Sequence, residues 1–241
     1  MTPLQGHVAV VTGASSGIGA AFVHALAAQG ASVCLVGRKL DALQAVARAA
    51  GGPGAHRCYC ADLCVDADVD ALACALLEDH AGIDILVHSA GAWEPATPAM
   101  VSAERLDVLY RTNVRAPTLL TGALLPSLRA RQGQVVFVNS SAGLAARAEA
   151  AHYAATKHAL KAYADSLRDE VNPAGVRVLS VYPGRTATPM QGRVHAAEGR
   201  PYHPESLMQP QDVAAVAVHA LGLPRTAEVT DIMIRPMRKT R

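Results

Sequence analysis

The sequence predicts an α/β fold in which a single parallel sheet is covered by helices on both faces. Short apolar segments rich in β-branched residues alternate with longer segments of helical periodicity along the whole chain. The strand segments are apolar at successive positions, as expected of strands that are buried on both faces. The 241 residues contain no internal repeat and no linker, so we expect one domain over residues 1–241.

The composition argues against several classes of protein. Hydrophobic residues make up 51% of the chain and charged residues 17%, which is typical of an ordered globular protein. A net charge of +2 does not indicate a nucleic-acid partner. No apolar run is long enough to span a membrane, and residues 1–7 lack the pattern of a signal peptide. We therefore expect a cytoplasmic protein with no nucleic-acid or membrane partner.

The five cysteines do not indicate a disulfide framework, because their number is odd. Cys58, Cys60 and Cys64 lie close together, so they are candidate metal ligands. Two of them alternate along a predicted strand, however, and no paired C-x-x-C follows them. We expect structural cysteines in a reducing cytoplasm, and no metal site.

A glycine-rich turn lies between the first predicted strand, residues 7–11, and the first predicted helix, residues 20–29. It reads T-G-A-S-S-G-I-G over residues 12–19. Glycines let the backbone approach a pyrophosphate, and the free N–H groups of a helix amino terminus attract one. The spacing differs from the usual G-x-G-x-x-G, so the position after the first strand is what favours nucleotide binding. The candidate cofactor-binding residues of the turn are Gly13, Ser15, Ser16, Gly17, Ile18 and Gly19.

The second predicted strand, residues 32–36, ends before Gly37 and Arg38. In dinucleotide-binding folds, an acidic residue at this point accepts hydrogen bonds from the ribose 2′-OH and repels a 2′-phosphate. A guanidinium can instead bind a phosphate through two hydrogen bonds. Arg38 therefore favours NADP(H) over NAD(H) as the cofactor, against the alternative that it is an ordinary loop arginine.

The remaining segments continue the alternation of helices and strands. Helices are predicted at residues 40–50, 65–80, 102–131, 151–171 and 210–221, and strands at residues 57–60, 83–88, 134–139, 176–181 and 228–234. Pro117 and Pro126 are expected to bend or divide the long helix at 102–131. Residues 188–207 are rich in proline, glycine, histidine and charge, which predicts a loop or a mobile lid.

Tyr153 and Lys157 stand four residues apart on the predicted helix at 151–171, so they share one helix face. A phenol has a pKa of about 10 in isolation, and a nearby ammonium lowers that pKa by favouring the phenolate. A phenol adjusted in this way can act as a general acid or base near neutral pH. Most isolated pairs of this kind belong to ordinary surface helices, so the interpretation depends on the other motifs.

Taken together, these segments resemble the short-chain dehydrogenase/reductase family over essentially the whole chain. The resemblance rests on several motifs in the family's order: the T-G-x-x-x-G-x-G turn, the Y-x-x-x-K pair and a P-G-x-x-x-T segment at residues 183–188. It implies a Rossmann-type, doubly wound parallel sheet. By position in the motifs, it implies further cofactor contacts at Asp62, Leu63, Ser89, Ala90, Gly91, Asn113, Tyr153, Lys157, Pro183, Gly184, Thr186 and Thr188.

The resemblance also implies the catalytic residues Ser140, Tyr153, Lys157 and Asn113. In the family the serine usually lies thirteen residues before the tyrosine, which selects Ser140 and leaves the adjacent Ser141 as the alternative. One motif departs from the family, because His88 and Ser89 stand where Asn-Asn usually precedes Ala-Gly. We expect this change to cost a modest amount of stability, with His88 buried and hydrogen-bonded.

The activity that the resemblance implies is reversible hydride transfer between NADP(H) and a small-molecule carbonyl or alcohol substrate. Tyr153 would exchange a proton with the substrate oxygen, which Ser140 would hold by a hydrogen bond. Lys157 would lower the Tyr153 pKa and bind the nicotinamide ribose, and Asn113 would help hold a water that links Lys157 to solvent. The alternatives are a regulator that binds NADP(H) without turnover, and a dehydratase or epimerase on the same scaffold.

Two further expectations concern the substrate pocket and the assembly. The pocket is expected to include the residues after Ser140, residues 92–94, His152 and residues 190–207, a mixture that selects no class of ketone or alcohol. The helix at 153–171 carries more small and apolar residues than a solvated helix needs. The family commonly pairs this helix and the one at 102–131 with partner copies, so we expect a homotetramer or a homodimer.

Overall fold

A computed structural model describes residues 4–95 and 101–237. Its strands are β1 (Val8–Thr12), β2 (Ser32–Gly37), β3 (Arg57–Cys60), β4 (Ile85–His88), β5 (Gln134–Val138), β6 (Arg177–Pro183) and β7 (Asp231–Ile234). Its α-helices are α1 (Gly17–Ala28), α2 (Leu40–Ala50), α3 (Asp66–Asp79), α4 (Ala103–Tyr110), α5 (Ala116–Ala130), α6 (Ala151–Val171), α7 (Pro189–Ala197) and α8 (Pro210–Leu221).

The strands form one sheet in the order β3-β2-β1-β4-β5-β6-β7, and every neighbouring pair is parallel. The chain runs outward from β1 to β3, returns to the centre, and runs outward again from β4 to β7. This topology confirms the predicted doubly wound fold. The reversal between β1 and β4 leaves a crevice at the carboxyl ends of the strands, which is where such sheets bind ligands.

Both faces of the sheet are buried, which explains why the strands are apolar at successive positions. On β1, Val11 belongs to the core that includes Phe22 of α1 and extends to α8. The preceding residue, Val10, belongs to the opposite core with Leu76 of α3 and Leu120 of α5. Adjacent strand residues therefore pack against different helix layers.

The long helix predicted at 102–131 is divided into α4 and α5 by a π-helical turn at Arg111–Arg115. The Ala116 N–H bonds to Arg111 O, five residues back, where an α-helix would bond four residues back. Pro117 follows directly and has no N–H to donate to the carbonyl four residues before it, which favours the wider turn at this point. Pro126, in contrast, lies inside α5.

The prediction of a loop at residues 188–207 is wrong for Pro189–Ala197, which form α7. The local signals for a helix start are present: the Thr188 side chain accepts a hydrogen bond from Gln191 N at 3.1 Å, and proline occupies the first turn. The glycine, histidine and charge content outweighed these signals in the prediction. The segment is fixed at its base by an Ala187 N–H bond to Met208 O at 2.8 Å.

In residues 4–95 and 101–237, no helix has the length and apolar character that crossing a membrane requires. The same residues contain no group of three or more histidine, cysteine or acidic side chains arranged to hold a metal ion. The five cysteines are free thiols, and Cys34 is the buried one.

Candidate active site

A cleft of about 1060 Å³ opens at the carboxyl ends of the strands, over the reversal between β1 and β4. With the exception of Asn113, every residue predicted from the sequence to bind the cofactor or to act in catalysis lines it. The topology explains this convergence, because the parallel strands all end at the same edge of the sheet. Segments far apart in the sequence thereby contribute to one site.

The glycine-rich turn fits a pyrophosphate because its glycines leave open the space that side chains would fill. A Cβ on Gly19 would lie 2.2 Å from Gly13 O, and a Cβ on Gly13 would lie 2.8 Å from Ala90. Gly13 also has a φ of +66°, which favours glycine. Ser16, the N-cap residue of α1, makes no side-chain capping bond, so the first N–H groups of the helix have no side-chain acceptor there.

The far end of the cleft carries the residues that were expected to contact the adenosine half of a cofactor. Arg38 is exposed at the end of β2, and within the described residues its guanidinium makes no ion pair. Asp62 lines the cleft beside Leu63, and its Oδ1 accepts a hydrogen bond from Cys64 N at 3.0 Å. An unpaired guanidinium at this place fits a phosphate group.

Ser140 and Tyr153 meet at the centre of the cleft. The Ser140 backbone N–H donates to Asn139 Oδ1 at 2.9 Å, and its Oγ accepts from Ala142 N at 3.1 Å. Burial raises the pKa of Tyr153 to about 12, and hydrogen bonding with the Ser140 side chain acts in the opposite direction. The neighbouring Ser141 is exposed and begins a short 3₁₀ turn. The structure thus brings Ser140 against the phenol.

Lys157 lies close to Tyr153 but donates its bond elsewhere. Its Nζ donates to Val138 O at 3.1 Å and lies 5.7 Å from the centre of the Tyr153 ring. Burial lowers the pKa of Lys157 to about 8, since the charged form is poorly solvated there. Burial is the larger influence on the Tyr153 pKa, and the hydrogen bond with Ser140 opposes it. The expected lowering of that pKa by Lys157 stays a prediction.

Asn113 acts as a clamp in this structure and does not line the cleft. Its Oδ1 accepts from Ala92 N at 2.7 Å, and its Nδ2 donates to Ala92 O at 2.9 Å and to Thr156 Oγ1 at 3.0 Å. The amide therefore joins the segment after β4 to α6. The expected role in holding a water stays a prediction.

The departure at His88 and Ser89 is accommodated by bonds to neighbouring elements. His88 Nε2 lies 2.8 Å from Thr121 Oγ1, and the ring stacks on Phe137 with centroids 5.1 Å apart. Burial lowers the His88 pKa to about 3, so the side chain is neutral, buried and hydrogen-bonded as expected. Thr12 Oγ1 accepts from the Ser89 and Ala90 N–H groups at 3.1 Å each, which holds this turn against β1.

The substrate end of the cleft is only partly as predicted. Trp93 and Glu94 line it, whereas His152 and Leu207 do not, and His195 is buried against Tyr202. The segment after Ser140 lines the cleft as predicted, with Arg147 and Glu149 among its lining residues, whereas the sequence reasoning missed Arg185. A signal existed for Arg185, which directly follows Pro183-Gly184 and so continues a predicted cofactor segment into the cleft.

Known proteins that are similar to this chain match it over nearly its whole length. The family model for short chain dehydrogenases matches residues 7–199. An uncharacterized oxidoreductase of Staphylococcus epidermidis is 33% identical over 238 residues, covering 98% of this chain and 100% of the relative. A metagenomic short-chain oxidoreductase in complex with NADP is 31% identical, with a TM-score of 0.85 over 98% of this chain and 100% of that chain. A 3-ketoacyl-(acyl-carrier-protein) reductase from Brucella melitensis complexed with NADH is 27% identical, with a TM-score of 0.85 over 96% of this chain and 97% of that chain.

The burial of Lys157 predicts a pH-dependent contribution to stability. Its folded pKa of about 8 lies below the ordinary 10.5, so the folded state binds fewer protons than the unfolded state between these values. The stability that wild type has relative to Lys157→Met should therefore rise between pH 7 and pH 10, on the order of 2 kcal/mol. Urea unfolding at fixed temperature measures it.

Lys161→Met is the matched control, because Lys161 lies on the same helix with a side chain that is 38% exposed and paired with Asp165. The pKa of Lys161 is raised by its hydrogen bond to Asp165, so its contribution should not rise between pH 7 and pH 10. A wild-type advantage over Lys157→Met that stays flat across this window would contradict the buried ammonium.

Proposed function

This chain belongs to the short-chain dehydrogenase family, and from that premise we propose that it is an NADP(H)-dependent oxidoreductase. Its substrate is a carbonyl or alcohol compound, and Tyr153 is its acid/base residue. The observation that carries the proposal is the meeting of Ser140, Tyr153 and Lys157 in one cleft with the glycine-rich turn. When bound, the nicotinamide cofactor donates or accepts the hydride.

The chain's own residues supply the cradle and the proton. The glycine-rich turn and the amino terminus of α1 hold the pyrophosphate, and Lys157, Pro183, Gly184, Thr186 and Thr188 hold the nicotinamide end. Ser140 Oγ holds the substrate oxygen, and the Tyr153 hydroxyl gives it a proton. A phenol with a raised pKa is protonated at neutral pH, which is the form that this step needs in the direction of reduction.

The preference for NADP(H) rests on Arg38. Its guanidinium is exposed at the end of β2, on the side of the cleft where a ribose 2′-phosphate is expected. The structural neighbours do not decide the point, since one was solved with NADP and another of similar TM-score with NADH. The charge of Arg38 is therefore the better guide to the cofactor preference.

Loss of the phenol should remove the chemical step and leave cofactor binding. Tyr153→Phe keeps the ring, so we expect NADPH to bind while turnover falls on the order of 10²–10⁴-fold, the contribution of a general acid. Ser140→Ala should lower turnover by roughly 10²–10³-fold, the effect of losing one donor to a developing oxyanion. Ser141→Ala is the matched control and should do much less. Turnover on any working carbonyl compound measures all three.

Tyr153→Phe retaining most of its activity would exclude the proposed mechanism. A larger loss in Ser141→Ala than in Ser140→Ala would change only the choice of serine. If wild type turns over none of a broad panel of carbonyl and alcohol compounds with either cofactor, the oxidoreductase proposal itself fails.

Replacement of Arg38 tests the cofactor preference. Arg38→Asp should weaken NADPH binding on the order of 10- to 100-fold, because it removes charge-assisted hydrogen bonds and adds a repelling carboxylate. Binding of NADH should weaken much less or improve. Arg48→Asp makes the same charge change at an exposed position of α2 that does not line the cleft, and it should change neither affinity. Wild type that binds NADH more tightly than NADPH would refute the preference.

The homotetramer or homodimer expected from the resemblance also stays a proposal, as does the cytoplasmic location. Support for assembly comes from exposed apolar side chains on the divided helix: Val108 and Tyr110 of α4 are 42% and 40% exposed, and Leu119 of α5 is 37% exposed. Burying such a surface against a partner copy is favourable. Light scattering at micromolar concentration should give a multiple of 25.0 kDa, and the mass of a single chain would contradict assembly.

A further inference from the structure

Arg185 is a charged side chain of the cleft that is held by an ion pair and keeps unused N–H donors. It follows Gly184 after β6, and its side chain is 25% exposed. Its Nη2 donates to both carboxylate oxygens of Glu198, at 2.9 and 2.8 Å. Within the residues that the structure describes, Nε and Nη1 bond to no acceptor. A guanidinium has five N–H donors in a planar fork, so the edge formed by Nε and Nη1 remains for another partner.

The topology places Arg185 at the same edge of the sheet as Ser140. β5 and β6 are parallel neighbours with Val138 opposite Val181. Ser140 and Arg185 follow these residues at the same edge of the sheet, and both line the cleft. A substrate that places its reacting oxygen on Ser140 therefore extends into space that Arg185 also borders.

The other charges of the substrate end favour an anionic group on the β6 side. Arg147, Glu149 and Arg193 are exposed at the rim, where solvent and salt screen their attraction. Glu94 is partly buried on the segment after β4, and its carboxylate repels an anion placed beside it. Arg185 is thus the cation best placed to bind an anionic substituent.

We propose that Arg185 is a specificity-determining residue that binds the carboxylate of an oxo-acid substrate, and that Glu198 positions its guanidinium. This inference rests on the proposed function, which supplies the reacting carbonyl. Binding of the carboxylate by Arg185 is a separate event that can be measured without turnover. The planar fork matches a carboxylate through two parallel hydrogen bonds. Glu198 also lies 3.8 Å from Arg200 Nε, so its carboxylate is shared between two guanidinium groups.

Matched acid and ester substrates test the assignment. Acetoacetate is compared with methyl acetoacetate, and 4-oxopentanoate with its methyl ester, each with NADPH. Wild type should show the higher kcat/KM on the acids. Arg185→Gln should raise KM for the acids on the order of ten- to a hundredfold, the effect of losing hydrogen bonds to a charged group, and change the esters little. Arg185→Lys should fall between them, because a point charge replaces the fork.

Arg129→Gln is the control for net charge. Arg129 is exposed near the carboxyl end of α5, which leads into the amino end of β5 and so lies at the opposite edge of the sheet from the cleft. It should leave both classes of substrate unchanged. An equal loss on the acids in Arg129→Gln would overturn the assignment to Arg185.

Glu198→Gln separates anion recognition from a merely structural pair. It keeps one acceptor for Nη2 and weakens the charge-assisted bond that positions Arg185, so KM for the acids should rise a few-fold while the esters stay unchanged. A structural pair would instead make Arg185→Gln and Glu198→Gln lose activity together on acids and esters alike. That outcome, or a fall of the acid KM in Glu198→Gln, would overturn the proposal.

A binding measurement keeps this proposal distinct from the proposed function. Trp93 is the chain's single tryptophan and lines the cleft, so its fluorescence reports on binding there. With NADP⁺ present in place of NADPH, 4-oxopentanoate should bind wild type more tightly than its methyl ester does, and Arg185→Gln should abolish that difference. This result would stand even if no carbonyl compound were turned over. Equal affinities for acid and ester in wild type, or no measurable binding of the acid, would overturn the proposal.

Discussion

The contact between the end of β5 and α6 brings Ser140, Tyr153 and Lys157 together, and one buried amide fixes this contact. Asn139 Nδ2 donates to Lys157 O at 3.1 Å, and Asn139 Oδ1 accepts from the Ser140 N–H at 2.9 Å. The same side chain therefore holds the serine that follows the strand and the lysine turn of the helix. Asn139 is 3% exposed, so losing either bond would leave a buried polar group without a partner.

A second amide anchors the neighbouring position of α6. Asn113 Nδ2 bonds to Thr156 Oγ1, so consecutive residues of the helix, Thr156 and Lys157, are held by asparagines from different elements. The chain also passes so close at Gly143 that a Cβ there would lie 2.5 Å from Asn139 Oδ1 and 2.9 Å from Lys157 O. The helix α6, which carries Tyr153, is thus fixed by hydrogen bonds and by its close approach to Gly143, which has no side chain.

Features that depend on neighbouring residues were predictable from the sequence, and features that depend on distant contacts were not. The glycine-rich turn and the alternating elements are local, and the predicted element ends differ from the observed ones by no more than three residues outside the divided helix and α7. The spacing of Tyr153 and Lys157 gives a shared helix face but not the burial that raises the phenol pKa. The pairing of Arg185 with Glu198 depends on α7, and the composition of that segment led to the prediction of a loop there.

The glycine-rich turn lies close to the N-cap residue of α7. Thr188, the N-cap of α7, places its Cγ2 only 3.1 Å from the position that a Cβ on Gly17 would occupy. The glycine-rich turn and the amino end of α7 therefore lie so close together that a side chain on Gly17 would meet Thr188. A side chain added at position 17 would therefore disturb the start of α7 as well as the glycine-rich turn itself.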